Sequence, residues 1–304
     1  MAEFTNVRYK GIILAFLSTL LGAATTIVYK PLMQSGVSFN TIGFIESLTI
    51  VLLLSWYRPA WDLKGIKTMQ KRLLLGGAFL QGLGAFSFYI ALNYLDPVTF
   101  SFLGRNQATC SLLLSFFFLR ERHNPILWLF IATCFIGSFS LAWTELNHDH
   151  PIGLWFIALF CLSFSLRSFI LRKYPHTPTL PGIFYGYSFS LIFILVSKTI
   201  LDGSLIFDMP PIYHILQITI TAALAVLGSV LFYIQALSCE PLALVSCIRL
   251  FSPYFVMVYF VCFRGYEMAS NKLYGFILMS VALLLFVVGK YRKQLFTKLK
   301  ILGS

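Results

Sequence analysis

Residues 84–105 read GAFSFYIALNYLDPVTFSFLGR, and residues 228–249 read GSVLFYIQALSCEPLALVSCIR. Over the wider stretches 76–120 and 220–264, a constant offset of 144 without a gap gives eleven identities. Hydrophobicity alone does not force several of them, namely Gly84 with Gly228, Pro97 with Pro241, and Arg105 with Arg249. The chain therefore contains an internal repeat, a feature that governs the fold wherever it occurs.

The composition places this repeat in a lipid bilayer. Of the 304 residues, 58% are hydrophobic and only 11% are charged, whereas a soluble domain carries about a quarter charged residues. Apolar stretches of about 20 residues, long enough to cross a hydrocarbon core of about 30 Å, recur along the chain. We predict ten such spans, at 11–29, 39–57, 73–94, 98–119, 125–144, 152–171, 180–200, 213–236, 242–263 and 272–290.

The expected fold is an all-α integral membrane protein whose ten transmembrane helices form two inverted five-helix repeats. An offset of five helices, an odd number, makes matching helices run in opposite directions through the membrane. We place the first repeat at 1–146 and the second, which ends in a basic cytoplasmic tail, at 147–304. Inverted repeats are frequent in secondary transporters, because two packings of like halves give outward-open and inward-open states.

The distribution of positive charge predicts the orientation. The net charge is +12, and if the N-terminus is cytoplasmic, sixteen of the 23 Lys and Arg residues fall in cytoplasmic segments, four on the opposite side and three within helices. This asymmetry is the positive-inside rule, so both termini are predicted to be cytoplasmic. A basic patch is also the usual footprint of nucleic-acid binding, but this placement excludes a nucleic-acid partner. The six cysteines show no CxxC spacing, and no metal, disulfide or cofactor is predicted.

Two arginines are predicted close to the centre of the membrane. Arg105 lies eight residues past Pro97, which is about 12 Å along a helix that rises 1.5 Å per residue. Arg249 likewise lies eight residues past Pro241. A charged side chain at this depth costs about 2.5–3.5 kcal/mol on insertion scales, so it faces a cavity or a partner. The two arginines either line a substrate path or cap helix carbonyls.

Glu46 and Arg167 are the other charges predicted within spans. Glu46 is predicted to act as a counter-ion to an arginine, as a partner for a cationic substrate group, or as a proton carrier. Arg167 lies four or five residues from the cytoplasmic end of its span, so its long side chain either snorkels to the interface or joins the substrate path. The surplus of arginine invites an anionic ligand group, because the guanidinium fork suits carboxylate or phosphate.

Polar and aromatic side chains complete the predicted pocket, and the repeat pairs Tyr89 with Tyr233. Tyrosine rings can stack on a ligand ring or contact a cation through the π face. The predicted substrate-binding residues are Glu46, Tyr89, Arg105, Asn106, Arg167, Tyr185, Tyr187, Tyr233, Arg249 and Tyr254.

The sequence resembles the drug/metabolite transporter superfamily, in particular its ten-helix EamA-type members, over residues 10–144 and 152–290. The similar features are the Tyr29-Lys30 end of the first helix, the prolines that open the fourth and ninth helices, and a run at the end of the fourth helix, Phe117-Phe118-Leu119-Arg120-Glu121. The second half keeps a looser counterpart of this run, Phe263-Arg264-Gly265-Tyr266-Glu267.

The resemblance implies a single-chain carrier in the inner membrane of a bacterium, with a central cavity that opens to either side in turn. Such carriers move amino acids, nucleotides, sugars or similar metabolites. The mixed charges of the predicted pocket favour a zwitterionic substrate, such as an amino acid or a derivative of the kind of S-adenosylmethionine, which some members exchange. A nucleotide or nucleotide-sugar exchanger that binds phosphate through the arginines is the alternative.

Other functional classes are less consistent with the residues. An intramembrane enzyme needs paired aspartates, an HExxH zinc helix or a Ser-His dyad, and no Asp or His is predicted deep in a span. A receptor or a structural protein does not require inverted repeats with matched arginines. A channel would not show saturable flux that a counter-substrate stimulates. We therefore predict a transporter and no enzyme activity.

Overall fold

All regular secondary structure that the computed structural model describes is helical, which confirms the all-α prediction. The structure describes residues 2–64, 66–119, 125–146, 151–174, 177–240, 244–245, 248–265, 273–278 and 280–282. Pro241, most of the last predicted span and the basic tail lie outside these residues.

The helices follow the predicted spans closely. Residues 1–146 form helices α1 to α6, which are Ala2–Gln34, Phe39–Ser55, Thr68–Tyr94, Pro97–Leu103, Asn106–Leu119 and Pro125–Leu146. A short 3-10 turn, Arg58–Ala60, lies between α2 and α3. The described part of residues 147–304 forms helices α7 to α11, which are Pro151–Lys173, Thr179–Asp202, Ile212–Thr221, Leu227–Cys239 and Ser252–Arg264.

Five helical stretches are both long and apolar enough to cross a membrane. They are Lys10–Gln34, Thr68–Tyr94, Pro151–Lys173, Thr179–Ile200 and Ile212–Cys239. Two shorter apolar helices, Phe39–Ser55 and Trp128–Trp143, coincide with further predicted spans. The total of ten spans and the inverted orientation of the halves stay predictions.

The span predicted at 98–119 is not one continuous helix. Asp96 caps the N-terminus of α4, because its carboxylate accepts hydrogen bonds from the backbone N–H groups of Val98 and Thr99 at 3.1 and 2.9 Å. The helix is then interrupted at Gly104 and Arg105, and α5 begins at the next residue. Glycine is among the weakest helix formers, which favours an interruption at this point.

The second half has an irregularity at the matching position. Arg249 opens a 3-10 turn, Arg249–Phe251, that leads into α11. Pro253 lies in the first turn of α11, where the missing proline N–H leaves no helical hydrogen bond unmade. Both repeat-paired arginines therefore lie at interruptions of helical geometry.

Helices from the two halves are interleaved. Helix α3 packs mainly on α7 and α8, and α1 packs mainly on α10. A Cβ added to Gly82 of α3 would lie 2.8 Å from the carbonyl oxygen of Gly186 in α8, so the absence of a side chain permits this close approach. Ser18 and Ser229 join α1 to α10, since each hydroxyl donates to the other residue's carbonyl at 2.8 Å.

A buried lysine caps one end of α3. Lys30, near the end of α1, is only 7% exposed. Its Nζ donates to the carbonyl oxygens of Leu92, Asn93 and Leu95 at 2.7, 3.1 and 2.7 Å. The last carbonyls of a helix lack partners within it and carry partial negative charge. Lys30 of α1 thus holds the C-terminal end of α3.

Arg172 makes a similar contact in the second half. Its Nη1 donates to the carbonyl oxygen of Leu237, near the end of α10, at 3.2 Å. The 144-residue offset pairs Leu237 with Asn93, and the carbonyl oxygen of Asn93 is one of the three that accept a hydrogen bond from Lys30. A cation from a neighbouring helix therefore caps the same helix end in each half.

We predict that Lys30→Met lowers the midpoint of thermal unfolding by several degrees in detergent. Methionine keeps the length of the side chain but cannot donate, and each buried carbonyl left without a partner costs about 1–3 kcal/mol. Lys10→Met, at an exposed site on the same helix, is the matched control. Equal unfolding midpoints for the two variants would contradict this role of Lys30.

Candidate functional site

A central cavity of about 110 Å³ lies between helices of both halves, and it is several times larger than the space that one water molecule needs. The polar part of its lining comprises Thr19, Thr25, Thr26, Glu46, Tyr89, Ser101, Arg105, Gln107, Tyr187, Ser229, Arg249 and Ser252. An aromatic wall completes it, formed by Phe88, Phe100, Phe160 and Phe164.

The two repeat-paired arginines meet at this cavity. Arg105 donates from Nη1 to the carbonyl oxygen of Arg249 at 3.0 Å and from Nη2 to Ser252 Oγ at 2.9 Å. Its Nε also donates to the carbonyl oxygen of Ser101 at 3.3 Å. The sequence left two alternatives for Arg105, to cap helix carbonyls or to line a cavity. In the structure Arg105 does both.

Arg249 is held in a different way. Its guanidinium carbon lies 4.5 Å from the centre of the Tyr233 ring, a distance typical of a cation–π contact. Its Nε is buried and donates to no described residue. Two guanidinium groups side by side, one with an unused donor, make this part of the cavity strongly receptive to an anionic group.

Glu46 supplies the opposite charge to the same cavity. It lies on α2, is 3% exposed, and its Oε2 accepts no hydrogen bond from a described residue. The hydroxyls of Tyr29 and Tyr89 lie beside the carboxyl, but neither hydroxyl forms a hydrogen bond of good geometry within the described part of the chain. Among the described residues, no arginine lies within ion-pair distance of Glu46, so the counter-ion alternative is not realised in this structure.

Five of the ten predicted binding residues line the cavity, namely Glu46, Tyr89, Arg105, Tyr187 and Arg249. Tyr233 lines a small adjoining cavity together with both central arginines, and its hydroxyl lies 2.7 Å from Ser168 Oγ. Arg167 is 3% exposed and lies close to Tyr187 and Tyr233. Such burial is inconsistent with snorkelling to the interface.

The structure places the other three predicted residues away from the cavity lining. The Asn106 Oδ1 accepts a hydrogen bond from Ser138 Oγ at 2.9 Å. The hydroxyl of Tyr185 donates to the carbonyl oxygen of Trp61, and the hydroxyl of Tyr254 donates to Ser280 Oγ. Each of these groups has a partner elsewhere in the fold.

Sequence reasoning missed several lining residues, including Thr19 and Ser101. Thr19, Gly22, Thr25 and Thr26 recur on α1 at spacings of three and four residues, which is the period of one helix face. This polar stripe on an otherwise apolar helix is a signal that could have identified the cavity-facing side of α1.

Comparison with known proteins agrees with this architecture. Residues 9–143 match the EamA-like transporter family. The match covers somewhat less than half of the chain, and it confirms the resemblance to the drug/metabolite transporter superfamily for the first half. The family consists of membrane transporters, so it supports transport as the general activity, and the apolar helices make the chain a multi-pass integral membrane protein.

The fold of the whole chain has a solved counterpart. A structure described only as "Crystal structure of protein" superposes with a TM-score of 0.64 at 13% sequence identity. The likeness covers 93% of this chain and 98% of that chain, and at this identity it concerns the fold alone. No curated protein matches the sequence.

We predict that Gly43→Ala disturbs the cavity. The added Cβ would lie 2.9 Å from the Tyr89 ring and 2.8 Å from Ile194, so the ring beside Glu46 must shift. We expect a lower unfolding midpoint and weaker binding of any ligand of the cavity.

Gly76→Ala is the matched control, because nothing lies within 4 Å of its added Cβ. Alanine favours helix over glycine by about 1 kcal/mol, so this variant should be neutral or slightly more stable. If Gly43→Ala behaves like Gly76→Ala, the close packing of α2 on Tyr89 does not shape the site.

Proposed function

We propose that this protein is a secondary transporter that carries a small zwitterionic metabolite through its central cavity by alternating access. The observation that carries this proposal is that Glu46, Arg105 and Arg249 line one cavity, although no ion pair joins Glu46 to a described arginine. A ligand with one anionic and one cationic group satisfies both kinds of charge without adding net charge to a low-dielectric site.

The hydrogen bonds of the arginines support a carboxylate as the anionic group. Arg105 already donates to a backbone carbonyl and to Ser252, whereas Arg249 keeps an unused Nε donor. One carboxylate beside Arg249 would offset the repulsion between the two cations, and it would reach the buried Nε once the guanidinium turns towards the cavity.

The surroundings of Glu46 support an amine or sulfonium as the cationic group. Its carboxyl has a buried oxygen with no hydrogen-bond partner among the described residues, and Tyr29, Tyr89 and Tyr187 lie around it. Tyrosine faces attract organic cations. A small amino acid fits both the charges and the volume of about 110 Å³. A larger derivative such as S-adenosylmethionine matches the charges but requires a wider cavity than this conformation has.

The irregular helices at the cavity support movement of a ligand across the membrane. Transporters often bind substrates where membrane helices are interrupted near the midplane. Here Arg105 and Arg249 lie at two such interruptions, in segments that the repeat pairs. Rocking of one group of helices against the other around this point would expose the cavity to each side in turn.

A metabolite panel tests the substrate class. We expect proteoliposomes to take up amino acids or their derivatives, and these compounds to stabilise the purified protein. We expect Arg249→Ala to weaken the binding of the active compound about tenfold or more, since hydrogen bonds to charged groups contribute about 1.5–3 kcal/mol. Arg58→Ala, whose side chain is 72% exposed, is the control.

The outcome of this test distinguishes the alternatives. If the protein prefers nucleotides or nucleotide sugars, its substrate is not a zwitterion and binds to the arginines through phosphate. Unchanged affinity in both Arg105→Ala and Arg249→Ala would remove the arginines from the binding site. Flux that neither saturates nor responds to internal counter-substrate would indicate a channel.

Glu46→Gln separates the two remaining roles of the carboxylate. If Glu46 pairs with a cationic group of the substrate, the variant should bind the zwitterion about tenfold more weakly but bind an uncharged-amine analogue as well as the wild type does. If Glu46 carries protons, the variant should instead lose acceleration by a pH gradient while exchange is retained. A variant that is normal in both assays would exclude Glu46 from transport.

A further inference from the structure

One buried charge is not explained by the central cavity. Arg167 on α7 is only 3% exposed and does not line that cavity. It donates no hydrogen bond to the described part of the chain, where its neighbours are tyrosine rings and Arg249. A charged side chain buried in a membrane protein marks a functional site by default.

Arg167 lines a separate small cavity at the start of α8. The other walls of this cavity include Thr177, Thr179 and Gly182 from the start of α8, and Leu74 and Gly77 from α3. Its volume is about 10 Å³, which corresponds to one water-sized group. A single anionic oxygen therefore fits it in this conformation.

The N-terminus of α8 adds partial positive charge to the same place. This helix runs over 24 residues from Thr179 to Asp202. Pro178 at the N-cap and Pro181 in the first turn have no N–H, so the free backbone donors at this end are the N–H groups of Thr179 and Leu180. The first N–H groups of a helix have no partners within it and attract anions. Arg167 and the first turn of α8 thus line the same small cavity.

We propose that Arg167 and the N-terminus of α8 form a second anion site, which takes a carboxylate or phosphate group. The site lies between the central cavity and the membrane face at which α8 begins, the face predicted to be cytoplasmic. Two sources have this chemistry, namely the anionic group of the transported metabolite and the headgroup of an anionic lipid. Binding of the transported metabolite at this site rests on the proposed transport function. Binding of an anion as such does not depend on that function.

Arginine and tyrosine side chains lie between the central cavity and the proposed second site. The small cavity lined by Arg105, Arg249 and Tyr233 adjoins the central cavity through its shared arginines. Tyr233 and Tyr187 in turn lie beside Arg167. An anionic group leaving the central arginines would meet tyrosine hydroxyls and then a further guanidinium before it reaches the end of α8.

Sulfate is a suitable probe, because it is a tetrahedral oxyanion whose binding does not require the substrate to be known. The experiment compares the unfolding midpoint in sodium sulfate with that in sodium chloride at matched ionic strength, for protein in detergent without anionic lipid. It uses the Arg249→Ala background, in which the central anion site is weakened, with and without Arg167→Gln. We expect sulfate to stabilise the Arg249→Ala protein more than it stabilises the double variant.

Arg167→Lys and the anion-free midpoint are the controls. Sulfate stabilises most proteins non-specifically, so only the difference between variants counts. Arg167→Lys keeps the charge and should retain part of that difference. Without sulfate, Arg167→Gln should unfold at the same or a higher temperature, because it removes an uncompensated buried charge; a clearly lower midpoint would indicate a structural arginine and overturn the proposal.

A second set of measurements, with and without anionic lipid, distinguishes the two sources of the anion. The sulfate measurement is repeated in bicelles of phosphatidylcholine alone and of phosphatidylcholine with phosphatidylglycerol. Loss of the Arg167-dependent shift only with phosphatidylglycerol supports the site and identifies a lipid headgroup as its ligand. A shift that persists in both supports a soluble anion. The absence of an Arg167-dependent shift in every medium overturns the second site, whatever the metabolite panel shows for the central cavity.

Discussion

The cost of placing charge inside a bilayer constrains the whole structure. A guanidinium or carboxylate at membrane depth must be separated from lipid and supplied with polar neighbours, and each of the three charges at the centre of this fold meets that requirement differently. Arg105 uses a backbone carbonyl and Ser252, Arg249 uses the ring of Tyr233, and Glu46 is surrounded by tyrosines. The packing of helices from both halves places all three in the lining of one central cavity.

The helix interruptions follow from the same constraint. A continuous helix uses its own backbone carbonyls, and an interrupted one leaves some of them free for other donors. The carbonyl of Arg249, which opens the 3-10 turn of the second half, accepts from the arginine at the interruption in the first half. The freed carbonyl of Arg249 and the guanidinium of Arg105 therefore stabilise one another, and both residues line the cavity.

The sequence predicted the helices well and the site in part, and the reasons differ. Long apolar runs and buried charges are strong signals in a membrane protein, which is why Glu46, Arg105 and Arg249 could be identified as central. Neighbouring residues depend on helix phase, which the interruption at Gly104 changes. Gln107 lines the cavity where Asn106 was predicted, because adjacent helix positions differ by about 100° in direction.

The π-helical segment Ala222–Val226, which joins α9 to α10 within the long apolar helix, has a consequence for how this part of the chain can change. A π-helical turn holds one residue more than an α-helical turn. Because this wide turn absorbs the extra residue, deleting one residue there would restore a regular α-helix and leave the residues on both sides facing their present neighbours. Ser229 would then stay in the cavity wall and Tyr233 beside the Arg249 guanidinium. The same deletion in a regular α-helical turn would instead rotate everything after it by about 100° and would remove both side chains from the site.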